Sequence, residues 1–158
     1  MYIAVKPDDI VFQQNTKACN GVLTSPSYTR ASDPNLSGAV SYYEVLHKDK
    51  EKEEIFEKIR KSNYPNQPSR MGAIFLFPDL LTAKKANKLW WSNKREIHEV
   101  IIINGFRVLF ADSKWLDCTP ENYDQNANYY FQGVMSPDPI VEIVLMGSIQ
   151  VISKPGDK

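Results

Sequence analysis

The chain alternates short apolar runs with polar, turn-forming stretches, and the spacing inside each run points to its element. Tyr2 to Val5 and Val40 to Leu46 are brief apolar or aromatic runs that suit strands. Ala73-Ile74-Phe75-Leu76-Phe77 is continuously apolar, the pattern of a buried strand. From Asp49 to Lys61 the chain is densely charged, with Ile55, Phe56 and Ile59 on one helical face and salt-bridging spacings elsewhere. This predicts a helix that stops by Tyr64-Pro65, because the residue before a proline is steered away from helical geometry. Pro78-Asp79 opens a second helix that runs through Trp91.

Two stretches carry hairpin signals. Glu96 to Ile103, then Asn104-Gly105, then Phe106 to Ala111 predicts an antiparallel hairpin, since Asn-Gly readily takes the positive φ of a tight turn. Ile140 to Met146, Gly147-Ser148, and Ile149 to Ile152 predict a terminal hairpin on the same grounds. Residues 15–39 and 112–139 are rich in Asn, Ser, Asp and Pro and are expected as long loops. The second holds the aromatic cluster Tyr123, Tyr129, Tyr130 and Phe131, placed to cover a cleft, and residues 154–158 are expected to fray. Strands outnumber helices by about three to one and come mostly as antiparallel pairs. The expected fold is therefore α+β: an antiparallel or mixed split sheet with two principal helices, in a single domain spanning residues 1–158.

Composition agrees with one ordinary globular core, at 42% hydrophobic and 24% charged residues. Lys+Arg and Asp+Glu both number 19, so no global field draws the protein to nucleic acid or an anionic membrane. The N-terminus has too short an apolar stretch for a signal peptide and no run is long enough for a membrane helix, which leads us to expect a cytoplasmic protein. Cys19 and Cys118 lack CxxC spacing and read as reduced thiols; with His47 and His98 they make no recognisable metal spacing, and no metal is expected.

The chain contains no GxGxxG, GxxxxGK[ST], GxSxG or HExxH, which removes the enzyme classes those motifs mark. What remains is a pattern. Gly72-Ala73-Ile74-Phe75-Leu76-Phe77-Pro78-Asp79, followed by Leu80 to Asn87, resembles the strand and helix of the ADP-ribosyltransferase superfamily. It is similar in particular to the Gly-Ile-Tyr-Phe-Ala-Asp and Ser-Ala-Asn pattern of poly-ADP-ribose polymerases, with spacing different by one residue. Val141-Glu142-Ile143-Val144-Leu145-Met146 and the residues to Val151 resemble the superfamily's glutamate-bearing strand and turn.

That resemblance implies an ADP-ribosyltransferase-like fold, NAD as substrate and a macromolecular acceptor; the even charge balance favours a protein or small-molecule acceptor over DNA or RNA. It makes Glu142 the carboxylate that holds the nicotinamide ribose hydroxyl and stabilises the oxocarbenium-like transition state. His47 takes the place of the adenosine-ribose residue, although the following glycine is missing, and the second motif's tyrosine or serine falls on Phe75 or Leu76. Ser69 and Arg70 are the candidate phosphate contacts, and Tyr43, Phe75 and Phe77 the candidate stacking aromatics for nicotinamide. From the residues alone, Glu142 is notable because it opens an apolar run, where a carboxylate is costly unless it faces a cleft or a partner. The alternative is a non-catalytic interaction module or small regulator that docks through aromatic loops. An enzyme should gather Glu142, His47 and the strand ending at Phe77 round one concave pocket, whereas a module should present a flat aromatic patch.

Overall fold

A computed structural model describes residues 1–40 and 49–153. Among them are five strands, β1 (Tyr2–Val5), β2 (Val22–Thr24), β3 (Ile74–Leu76), β4 (Glu96–Asp112) and β5 (Val141–Ser153). Five α-helices accompany them: α1 (Ile10–Ala18), α2 (Pro26–Ser32), α3 (Lys50–Asn63), α4 (Leu80–Trp91) and α5 (Tyr123–Gln132). The fold is α+β, and every strand pairing is antiparallel. The strand expected over Val40 to Leu46 falls, from residue 41 onward, outside the described residues.

The two expected hairpins do not form. β4 runs without a turn through Asn104-Gly105, and β5 runs without a turn through Gly147-Ser148. The two long strands pair with each other instead, Glu99 opposite Ser153 at one end and Asp112 opposite Val141 at the other. Both turn signals meet in the middle of this ladder, where Gly105 faces Gly147 and Asn104 faces Ser148. Register shifts between Ile102 and Asn104 and between Gly105 and Arg107 show what these residues do here: they bulge and bend the pair rather than reverse it.

β1 adds to one edge of β4, and β2 and β3 both add to the far edge of β5. A reciprocal pair of hydrogen bonds between Tyr2 and Phe77, at 2.9 and 2.7 Å, then joins β1 to the end of β3. The pairings therefore close a ring, β1 to β4 to β5 to β3 and back to β1. Its lining is the core cluster of Leu76, Val100, Ile143, Leu145 and Ile149, which includes strand residues only. Side chains alternate along each strand, so the neighbours of these residues face outward, Phe75 and Val144 among them under the helices.

The helices follow from the expected signals, plus three that sequence did not reveal. α3 begins at Asp49, whose carboxylate accepts the Lys52 N–H at 3.0 Å, and it buries Glu53, Phe56 and Arg60 on one face. Asp79 caps α4 in the same way at Thr82, 2.7 Å, and Ala83 and Ala86 let that helix lie close against Phe77 and Ile140. The region 15–39, expected as a loop, holds the end of α1, β2, α2 and a short 3-10 turn. The region 112–139 holds two 3-10 turns and α5. There Tyr123, Ala127, Tyr130 and Phe131 recur at helical spacing and are buried, the last three with Phe56, Leu109, Ala111 and Val144, so these aromatics are core rather than cleft cover.

A buried carboxylate and guanidinium centre

Glu142 is the second residue of β5 and lies opposite Ala111 of β4. Strand alternation places it, with Val144, on the helix-covered side, where it is 6% exposed. A carboxylate there needs partners, and three elements supply them. Arg70, in the segment before β3, donates through Nη1 to Glu142 Oε1 at 2.7 Å. Tyr130 of α5 donates its hydroxyl to the same oxygen at 2.5 Å, and Arg70 Nη1 also reaches that hydroxyl at 2.5 Å. Behind Arg70, its Nε contacts both carboxylate oxygens of Glu53 on α3, at 3.2 and 3.3 Å. The guanidinium lies 5.1 Å from the ring centroids of both Phe75 and Tyr130.

Two carboxylates, one guanidinium and one phenol thus share a desolvated site. Burial is the first cause that drives the Tyr130 hydroxyl well above the ordinary tyrosine range; Arg70 opposes the shift and Glu142 adds to it. The phenol therefore keeps its proton and remains a donor. Both bonds to Glu142 end on Oε1. Among the described residues no group bonds Oε2.

A second network holds the segment that carries Arg70. Ser69 donates its hydroxyl to Glu57 Oε2 at 2.9 Å, while Glu57 takes two bonds from Arg60 at 2.8 and 2.9 Å. Arg60 in turn donates to the Gln67 carbonyl at 3.0 Å. Burial raises the Glu57 pKa, but the Arg60 and Ser69 hydrogen bonds outweigh it and leave a net downward shift. The α3 face spaced 53, 57, 60 thus anchors the chain from Gln67 to Arg70 by charge-assisted bonds.

Of the residues singled out from sequence, the structure brings Glu142 and Arg70 into direct contact across 72 positions of sequence separation. Ser69 sits next to them in the chain and bonds Glu57. Phe75 lies against the Arg70 guanidinium. Phe77 points elsewhere, into the cluster of Ala83, Ala86 and Ile140, with its ring centroid 6.1 Å from that of Trp90. Tyr43 and His47 lie outside the described residues. Glu53 and Tyr130 were missed. The signal for Glu53 was its place on the Phe56 face of an otherwise solvated helix, and for Tyr130 the spacing 123, 127, 130, 131 inside a stretch whose Pro and Asn content reads as loop.

Among the described residues, two open grooves stand out on the surface. One, of about 510 Å³, is lined by Lys52, Asp117, Cys118, Thr119, Asn122 and Asn126, and burial raises the pKa of the Cys118 thiol there. The other, of about 580 Å³, is lined by Leu89, Trp90, Lys114, Asp117, Asp138 and Ile140. Glu142 lines neither groove. Among the described residues no three His, Cys, Asp or Glu side chains converge as a metal site, and no helix is long and apolar enough to cross a membrane.

The strand ring and the centre beneath its helices define a small α+β domain with a buried carboxylate held by arginine and tyrosine. Residues 11–157 match the model of a family described as a protein of unknown function, DUF2441, and the chain belongs to that family. No curated relative matches it.

Proposed function

We propose that this chain is an ADP-ribosyltransferase-like protein that binds NAD and transfers ADP-ribose to a macromolecular acceptor, with Glu142 as the carboxylate at the reacting ribose. The observation that carries the reading is the state of that carboxylate: Oε1 is locked by Arg70 and Tyr130, and Oε2 is bonded by no described residue. A fixed, largely desolvated carboxylate with one oxygen available is suited to accept a ribose hydroxyl and to oppose positive charge growing on the ribose carbon. In the reaction the bond from that carbon to nicotinamide breaks and its electron pair leaves with the ring. The acceptor's lone pair then closes on the carbon, and the acceptor loses a proton. The structure commits Nε and Nη1 of Arg70 to Glu53, Tyr130 and Glu142, so in this reading Arg70 serves the carboxylate and not the phosphates.

The test is nicotinamide release and calorimetric NAD binding by the wild-type chain and by Glu142→Gln. Release that is lost in the variant while NAD still binds supports the reading. If neither protein binds NAD at millimolar concentration, the reading fails. A second reading then takes its place, a non-catalytic interaction module, and one observation favours it: Ile101, Ile103, Phe106, Val108 and Phe110 of β4 are each between 37% and 57% exposed along a single strand. The aromatic residues of 123–131 offer that reading little, since Tyr123, Tyr130 and Phe131 are buried.

A further inference from the structure

We infer that Tyr130 is the positioning residue for Glu142: its hydroxyl and Arg70 Nη1 clamp Oε1, so that the carboxylate presents Oε2 in one orientation. The geometry is specific. Tyr130 is fully buried on α5, its hydroxyl stands 2.5 Å from Glu142 Oε1, and Arg70 Nη1 touches both oxygens. Two donors converging on one carboxylate oxygen fix the torsion of the whole group, because a rotation that frees Oε1 breaks both bonds together. Glu53 holds the far side of the guanidinium, so Arg70 cannot swing to follow a rotating Glu142 without losing its own ion pair.

The charged and titratable groups that face Glu142 are few among the described residues. The segment before β3 brings Arg70, α5 brings Tyr130, and α3 brings Glu53 through Arg70, while β4 presents Ala111 and β3 presents Phe75. Tyr130 is the one neutral donor in the set. Removing its hydroxyl leaves every formal charge in place and takes away one of the two bonds that hold Oε1. The carboxylate then gains a freedom of rotation it does not have in the native protein.

The experiment uses the full chain and Tyr130→Phe. It reads the order of the Glu142 side chain by carbon relaxation in NMR and the steady-state kinetics of nicotinamide release. In the variant the Glu142 side chain should lose order, and kcat should fall about 10- to 100-fold with KM for NAD little changed, as expected when a reacting group is misplaced and substrate binding is intact. Tyr64→Phe is the control. That hydroxyl bonds Asn128 and Gln132 and no member of the Glu142 cluster, so its removal should leave both readouts unmoved.

Unchanged order of the Glu142 side chain in a folded Tyr130→Phe protein overturns the inference, as does an equal loss of order in Tyr64→Phe. If Tyr130→Phe does not fold, Arg70→Lys is read in the same way; it keeps the positive charge and loses the planar fork, and the same loss of order is expected. Only the kinetic arm rests on the ADP-ribosyltransferase reading. A loss of order with no nicotinamide release from any of the proteins upholds the positioning role and overturns the NAD chemistry.

Discussion

At the scale of single residues, a hard demand on the backbone falls on Gly147, in the middle of the β4–β5 ladder. A Cβ there would stand 2.0 Å from the Asn104 carbonyl oxygen, a contact no relaxation of a side chain can relieve. A Cβ on Gly105, directly opposite, would meet only the Val108 and Ile102 methyls, at 3.1 and 3.5 Å. Gly147→Ala should therefore destabilise the protein by about 3 kcal/mol, and Gly105→Ala by well under about 1 kcal/mol. Chemical denaturation of the two variants distinguishes the arrangements, because a hairpin turning at Asn104-Gly105 reverses the order. Asn104-Gly105 is a genuine signal of unusual backbone, but sequence alone does not say whether such a pair reverses a strand or bulges it. Glu142 was legible on firmer grounds: a carboxylate at the head of Ile143-Val144-Leu145 is costly to bury, and that mismatch between residue and pattern survives any error in the surrounding elements. Tyr130 offered no such mismatch, since an aromatic at helical spacing is what any core requires.

At the scale of elements, local signals identified α3 and α4 because each announces its own ends. Asp49 and Asp79 cap them, and Tyr64-Pro65 stops the first. The strands are different, because their pairing is decided by partners far away in sequence. β4 and β5 each looked like two short strands, and only their mutual ladder of more than ten residues makes the continuous reading win. α2 was hidden for the opposite reason: at seven residues it is too short to show a period, and it owes its position to one side chain. Ser25 is fully buried. Its hydroxyl accepts from the Tyr28 N–H at 3.3 Å and from the Gly147 N–H at 2.9 Å, so it caps the helix and ties it to β5 with one oxygen. Ser25→Ala should cost about 1–2 kcal/mol in thermal or chemical unfolding. It should also abolish hydrogen-exchange protection at the Gly147 amide while leaving β5 protected at Val144 and Leu145. Equal protection at Gly147 in both proteins rules out the latch.

At the scale of the whole molecule, the balance of 19 acidic and 19 basic residues leaves no net repulsion near neutral pH, so stability there is set by individual sites. Several carboxylates are held below their ordinary range. Asp112 is fully buried; burial raises its pKa, but bonds from Ser136 and the Lys114 and Ile140 N–H groups outweigh that and bring it below 3.8. Glu57 is lowered from 4.5 by Arg60 and Ser69 against the cost of burial, and Asp49 from 3.8 chiefly by the Lys52 N–H. Asp138, between Lys85 and Lys114, is lowered to about 2, but its side chain is 73% exposed and salt screens much of that. For each group the native pKa lies below the unfolded one, so the unfolded chain binds more protons as the pH falls toward the unfolded values. The stabilisation is fully present above about pH 5 and is lost progressively as the pH drops through the native values, while protonation also leaves the chain increasingly positive. Thermal midpoints should therefore be level from about pH 5 to 8 and decline below about pH 4.5. Asp112→Asn should lower the plateau and make that acid decline shallower, because the protein has then lost one of the groups whose protonation drives it. An acid limb of unchanged steepness in Asp112→Asn assigns the decline to the exposed pairs instead, and in that case added salt should flatten it.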